Sequence, residues 1–303
     1  MWFFLSLIAI AFWGGGDLFS KIGSAPEDRY SHWKITAAVG LVMGVHATAT
    51  LLSGAEFHPM DFIRYLPASA LYIASMILGY AGLRYLMLSV CSPICNSSGA
   101  VAGLLCLIFL RQMPDLLSWF GIILISVGVI GLSWLEQKQD AETKALAQQT
   151  ENRRYVRGFT AILFPLLYCV LDGLGTFADA VLLDTGVVEE ESANIAYEYT
   201  FLAVGLAALV YVVGVKRQRI VLKNEWAKLG SGVCETAGQM AYIYAIGEKP
   251  VAVAPMVSAY CVFSVVLSRV FLKEKLSKKH GFVILLVLSG IVLLGISEGL
   301  SSA

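Results

Sequence analysis

Apolar stretches of about 20 residues, each long enough to cross ~30 Å of hydrocarbon, recur ten times along this chain. They fall at roughly 2–22, 34–53, 67–88, 91–110, 116–135, 158–183, 194–214, 226–246, 251–271 and 281–299. Of the 303 residues, 57% are hydrophobic and 15% charged, and mean hydropathy is +0.72. An ordinary soluble domain carries about 25% charged residues, and its core needs far less continuous apolar sequence. The pattern therefore specifies an all-α integral membrane protein with ten transmembrane helices. The opening Met1-Trp2-Phe3-Phe4-Leu5 lacks both a basic segment and a small-x-small cleavage pattern, so it reads as a retained span rather than a cleaved signal peptide.

The ten spans are two copies of one five-span unit. Tyr80, Pro93 and Phe109-Leu110-Arg111-Gln112 align with Tyr242, Pro255 and Phe271-Leu272-Lys273-Glu274 at a constant offset. Ser126 and Gly128 then align with Leu288 and Gly290. At a slightly shorter offset, Trp13 and Asp17 align with Tyr168 and Asp172. The units are residues 1–136, a polar linker 137–157, and residues 158–303. An odd number of spans per copy inverts the second relative to the first. Inverted repeats in secondary transporters place the substrate site near the bilayer midplane, between the halves.

Acids within these spans are the main functional signal, because an ionisable side chain in hydrocarbon is costly unless it faces a cavity or a partner. Asp17 follows Trp13 by four residues and precedes Ser20 by three. Tyr168, Asp172, Gly175 and Asp179 share one helical face, as do Glu235, Gln239 and Tyr242. Glu198, between Tyr197 and Tyr199, lies inside the seventh span. Few bases stand against them: Lys21, Arg84 and Lys249. Neighbouring carboxylates in low dielectric cannot all stay ionised, so protons and a cationic solute would compete for one site. Aromatic faces beside the acids would add cation–π attraction, ~1–2 kcal/mol each when desolvated. Tyr72, Tyr80, Tyr244 and Tyr260 extend the supply of rings.

Each of these residues also has a structural reading. Asp17 can pair with Lys21 one turn away, Asp179 reads as an interfacial residue near its span's end, and Glu198 can be the same. Arg84 can neutralise an acid or bind a substrate carboxylate, which would favour an amino acid over a pure cation. Pro93 and Pro255 read as first-turn prolines, with a hinge as the alternative. Gly99 and Gly103 permit close helix contact.

Net charge is zero and the sequence pI about 6.9, so no nucleic-acid partner is expected. Cys91, Cys95, Cys106, Cys169, Cys234 and Cys261 lie inside apolar stretches without metal-ligand spacing and read as small apolar side chains. His32, His46, His58 and His280 are scattered. No metal site or cofactor is expected.

Ten spans in two fives, the opening Phe12-Trp13-Gly14-Gly15, and Val270-Phe271-Leu272-Lys273-Glu274-Lys275-Leu276-Ser277 ahead of a Gly-containing last helix resemble the EamA-type branch of the drug/metabolite transporter superfamily. The copy at Phe109-Leu110-Arg111-Gln112 lacks the acid. The resemblance covers essentially the whole chain and implies a secondary transporter working by alternating access around a central cavity. It does not give the substrate. The chain is also similar to the small multidrug resistance branch, where an acid in the first helix of each of two antiparallel subunits serves both protons and cations. Asp17 and Asp172 look like a fused-chain version of that pair. The family resemblance implies cytoplasmic termini. The basic connections (Arg29, Lys34; Lys138, Lys144, Arg153, Arg154, Arg157; Lys216, Arg217, Arg219, Lys223; Lys273, Lys275, Lys278, Lys279) imply the reverse by the positive-inside rule, and orientation stays open.

The expected function is a non-enzymatic secondary active transporter of a small organic cation or zwitterion, proton-coupled, in the bacterial cytoplasmic membrane, as a monomer or homodimer. The expected substrate and proton site is Asp17, Asp172, Glu235 and Glu198, lined by Trp13, Tyr168, Gln239 and Tyr242. The alternatives are a carrier of a neutral or anionic metabolite such as a sugar conjugate, a membrane-embedded lipid-modifying enzyme, and a channel or receptor scaffold.

Overall fold

In hydrocarbon each backbone polar group needs a partner inside its own segment, and a helix supplies one. A computed structural model of the chain describes residues 1–24, 28–111, 113–147, 158–221, 225–273 and 278–301, with 136–147, 158–162, 278 and 301 described by backbone alone. Among the described residues the regular elements are all helical. They are α1 (Trp2–Gly23), α2 (Ser31–Leu52), α3 (Pro59–Leu83), α4 (Leu88–Asn96), α5 (Ser98–Leu110), α6 (Leu116–Ala147), α7 (Gly158–Asp184), α8 (Glu190–Val210), α9 (Trp226–Glu248), α10 (Pro250–Val257), α11 (Tyr260–Phe271) and α12 (Lys278–Ser301). A π-helical turn, Tyr211–Val215, continues α8. Gln112, Arg153, Arg154, Arg157, Lys223, Glu274, Lys275, Leu276 and Ser277 lie outside the described residues.

Nine of the ten expected spans are long and apolar enough to cross a membrane among the described residues. The remaining one, α9, has the length but is less apolar, its middle carrying Glu235 and Gln239 among Gly, Ser and Tyr residues. The third span begins at Pro59 rather than near residue 67. Pro59 opens the helix at a position where its missing N–H leaves no bond unmade, and Asp61 in the first turn pairs with Arg64 at 3.0 Å. Pro67, the first residue of the expected span, lies inside the helix. At the other end of the repeat, α6 continues through Ala147, into the segment read as polar linker.

The packing exchanges the two halves. α1 lies along α9 and α7 along α3; α11 packs on α1 and α5 on α7. Equivalent elements meet each other at α2–α8 and α6–α12, while α5 packs on α10 and, equivalently, α11 on α4. This is the pattern of two inverted five-helix repeats about a two-fold axis. Glycine permits the closest crossings: a Cβ on Gly40 of α2 would come within 2.4 Å of the Phe201 carbonyl oxygen of α8. The Gly99–Gly103 pair does the same for α5, where a Cβ on Gly99 would meet Ser258 Oγ at 1.7 Å.

The outside is apolar and the inside carries the polar groups, as a bilayer solvent requires. Phe4, Val45, Leu104, Ile108, Val127, Leu285 and Val292 are exposed, whereas Ser75, Ser89, Asp179, Glu198 and Ser264 are buried. The described basic connections (Arg29, Lys216, Arg217, Arg219, Lys273) lie at one end of the bundle. The acidic turn Asp184, Glu189–Glu191 lies at the other, because successive spans alternate in direction.

Spans four and nine are each broken, at Ser97 between α4 and α5 and at Ser258–Ala259 between α10 and α11. The first-turn reading of Pro93 and Pro255 is corrected here. Each is the sixth residue of its short helix, where proline removes an interior hydrogen bond, and each helix ends within three residues of it.

Candidate functional site

Both breaks open onto one internal cavity, walled by α1, α3, α7 and α9. It has room for several waters or a small solute in their place. Asp17 enters from α1, Asp172 from α7 and Glu235 from α9. All three are half-buried: packing covers their stems and the carboxyl groups face the cavity.

Serines from the broken spans hold the two repeat-related acids. Asp17 accepts hydrogen bonds from Ser92 Oγ of α4 at 2.5 Å and from Ser264 Oγ of α11 at 2.6 Å. Asp172 accepts from Ser98 Oγ of α5 at 2.6 Å and from Ser75 Oγ of α3 at 3.5 Å. The alternative pairing of Asp17 with Lys21 gives way to this arrangement: Lys21 Nζ donates to the carbonyls of Leu83 and Leu86 at 2.7 and 2.6 Å. Glu235 packs its Oε1 over Gly16, 3.2 Å from where a Cβ would stand. Arg84 points away, donating to the Arg29 carbonyl at 3.0 Å. Among the described residues lining the cavity there is no lysine, arginine or histidine.

Aromatic rings supply much of the remaining wall. Trp13 meets Tyr242 at 5.0 Å and Tyr260 at 5.7 Å between centroids, and Tyr72 meets Tyr197 at 6.0 Å and Tyr242 at 6.5 Å. Tyr80 and Tyr168 complete the ring set. The equivalents Trp13 and Tyr168 are seated alike, each on a glycine of the facing helix. A Cβ on Gly238 would come within 2.4 Å of the Trp13 ring, and one on Gly79 within 2.9 Å of Tyr168. The buried Tyr80 hydroxyl and Gln239 amide nitrogen line this cavity without a hydrogen-bond partner in the protein.

The cavity thus gathers Trp13, Asp17, Tyr168, Asp172, Glu235, Gln239 and Tyr242. Glu198 does not line it. It is fully buried between α2 and α8, where His46 Nδ1 lies 2.8 Å from Oε1 and Asn194 Nδ2 donates at 3.2 Å. Its neighbour Tyr197 faces the cavity instead.

Asp179, expected near its span's end, is sealed inside the protein rather than turned to its surface. It is 0% exposed and accepts hydrogen bonds from Tyr65 at 2.7 Å and Tyr72 at 3.3 Å. The longer α3 explains this, because residues 59–66 extend the helix far enough to lay Tyr65 over the acid. Sequence reasoning also missed Ser92, Asn96 and Ser98. Their signal was present: a Ser-Pro and Asn-Ser-Ser cluster interrupts one apolar span, matched by Pro255 and Ser258 in the other half. Among the described residues no three His, Cys, Asp or Glu side chains are placed to hold a metal ion.

A family model described as EamA-like transporter family matches residues 1–134 and again residues 161–296. No curated protein matches the chain. A solved structure described only as "Crystal structure of protein" overlays with a TM-score of 0.64 at 15% identity, covering 97% of this chain and 96% of that one, a likeness of fold alone.

Proposed function

The chain belongs to the EamA-like transporter family, an integral multi-pass membrane transporter, and on that premise we propose that it carries a small organic cation or zwitterion by proton-coupled alternating access. One observation carries the reading: three carboxylates, Asp17, Asp172 and Glu235, share an aromatic-walled cavity without a lining base among the described residues. An ionised group in such a place needs a counter-charge, and either a proton or an organic ammonium supplies it.

In this proposal Asp17, Asp172 and Glu235 bind the cationic centre or protons in turn. Trp13, Tyr168 and Tyr242 contribute cation–π contacts, which are worth about 2 kcal/mol each where water is excluded. Gln239 and Tyr80 offer hydrogen bonds to a polar substituent. The broken spans connect the site to conformational change, since α4 and α5 hold acids from opposite halves. The proposed setting is the lipid bilayer of a bacterial cytoplasmic membrane, with a monomer or homodimer as the working unit.

The test is flux in reconstituted vesicles. Radiolabelled choline, whose charge is permanent, is expected to accumulate against its gradient when a pH gradient is imposed. A protonophore is expected to abolish the accumulation, as are the substitutions Asp17→Asn, Asp172→Asn and Glu235→Gln. Accumulation of an anionic sugar conjugate instead, indifferent to all three substitutions, would overturn the proposal.

A further inference from the structure

Behind the cavity wall lies a fourth membrane acid that the cation site does not use. Asp179 is wholly buried in α7. Its neighbours from the packed helices are Tyr65 and Tyr72 of α3, Cys106 of α5, Tyr197 of α8 and Tyr242 of α9. None of them is a base, so among the described residues an ionised Asp179 is faced by phenol hydroxyls and a thiol and by no cationic side chain. A buried carboxylate with no cation within reach is unfavourable, whereas the protonated acid carries no charge to compensate.

A hydrogen-bonded path leads from this acid to the cavity. The Tyr72 hydroxyl lies 3.3 Å from Asp179 Oδ2 and 2.8 Å from the Tyr242 hydroxyl, so a protonated Asp179 donates to Tyr72 and Tyr72 to Tyr242. Both Tyr72 and Tyr242 line the cavity, while Asp179 does not. Position 179 also has no acidic counterpart: at the offset relating Asp17 to Asp172, the first half carries Ser24. The cation-facing acids Asp17 and Asp172 are thus duplicated, and the sealed one is single.

We propose that Asp179 is a further coupling proton site beside the cavity acids, exchanging one proton with the cavity through Tyr72 and Tyr242 when a cation binds or leaves. On cation entry the Asp179 O–H bond breaks and its proton passes to the Tyr72 oxygen. The Tyr72 proton moves to Tyr242, and the Tyr242 proton moves to cavity water. Both phenols end neutral, the carboxylate is left charged, and the bound cation offsets that charge from the far side of the tyrosines. On cation release the sequence reverses. This inference rests on the cation reading given above.

Infrared difference spectra between acidic and alkaline pH, taken on the full chain in lipid vesicles, test it. Wild type is expected to show a protonated-carboxyl carbonyl band that Asp179→Asn lacks, and choline is expected to shift that band's titration to lower pH. Retention of the whole band in D179N overturns the proposal, whatever choline does. Loss of the band with no shift by choline, when choline still stabilises the wild type against heat, overturns the coupling and leaves the cation reading intact. Failure of both choline and methylammonium to stabilise the wild type overturns the cation reading and this inference with it. If D179N does not fold, Tyr72→Phe serves in its place. It keeps Asp179 and Tyr65, and its band is expected to form more slowly after a pH jump; an unchanged rate overturns the relay.

Discussion

Ser92 and Ser98 stand on either side of the break in the fourth span and donate to acids from opposite halves, Ser92 to Asp17 at 2.5 Å and Ser98 to Asp172 at 2.6 Å. A seven-residue segment thus ties both repeat-related carboxylates to one discontinuity. Any tilt of α4 against α5 changes the donors available to both acids. Hydrogen bonds to charged groups contribute about 1.5–3 kcal/mol each. Ser92→Ala and Ser98→Ala are each expected to lower thermal stability within that range and to weaken choline-driven stabilisation, measured by thermal shift in detergent.

Trp13 depends on an absent side chain. Gly238→Ala would place a methyl group 2.4 Å from the indole, so the ring has to move. Overpacking of this kind costs about 1–3 kcal/mol. G238A is expected to lose stability and cation response together, whereas Gly15→Ala, whose Cβ meets Cys234 Sγ at an ordinary 3.5 Å, is expected to change neither. Equal behaviour of the two variants would argue against an ordered Trp13 in the site.

Glu198 separates structural from functional acids. Its partners are His46 and Asn194, away from the cavity. His46→Ala strips a buried carboxyl of a hydrogen-bond partner, a loss of about 1–3 kcal/mol. The expected result is a lower melting temperature with an unchanged concentration of choline for half-maximal stabilisation. A large change in that concentration would bring Glu198 into the binding site.

Outside the bilayer span, Asp115 caps α6. It accepts the Ser118 backbone N–H at 2.7 Å and the Ser297 hydroxyl of α12, and these donors hold its carboxyl below the ordinary 3.8. The carboxylate therefore stabilises the fold fully above its unfolded value, and that contribution disappears as pH falls through the depressed folded value. Asp115→Ala is expected to cost about 1 kcal/mol, as for other N-caps, at neutral pH. The difference from wild type is expected to shrink under strongly acidic conditions, followed by melting temperature across pH.

The sequence made ten spans, an inverted repeat and the acids Asp17, Asp172 and Glu235 legible for one reason: a carboxylate in an apolar stretch is expensive, and its position in the repeat fixes its depth. The breaks in spans four and nine were harder to read, because a short helix ending in Ser or Asn has the same apolar count as a continuous one. The burial of Asp179 was not legible because it depends on Tyr65, whose helix begins about two turns before the apolar run does. Glu198 and Tyr197 are adjacent, and which of them faces the cavity depends on the rotation of α8 against α2, a packing outcome that spacing alone does not set.

The central claim, that three acids and their aromatic wall form a cation site, is tested most directly by thermal stabilisation of the purified protein, since a ligand that binds only the folded state raises its stability by mass action. Choline and methylammonium are to be compared with an amino acid and a sugar conjugate, on wild type and on Asp172→Asn. The account predicts stabilisation by the cations, lost in D172N. Stabilisation by the sugar conjugate alone, equal in both proteins, would contradict it.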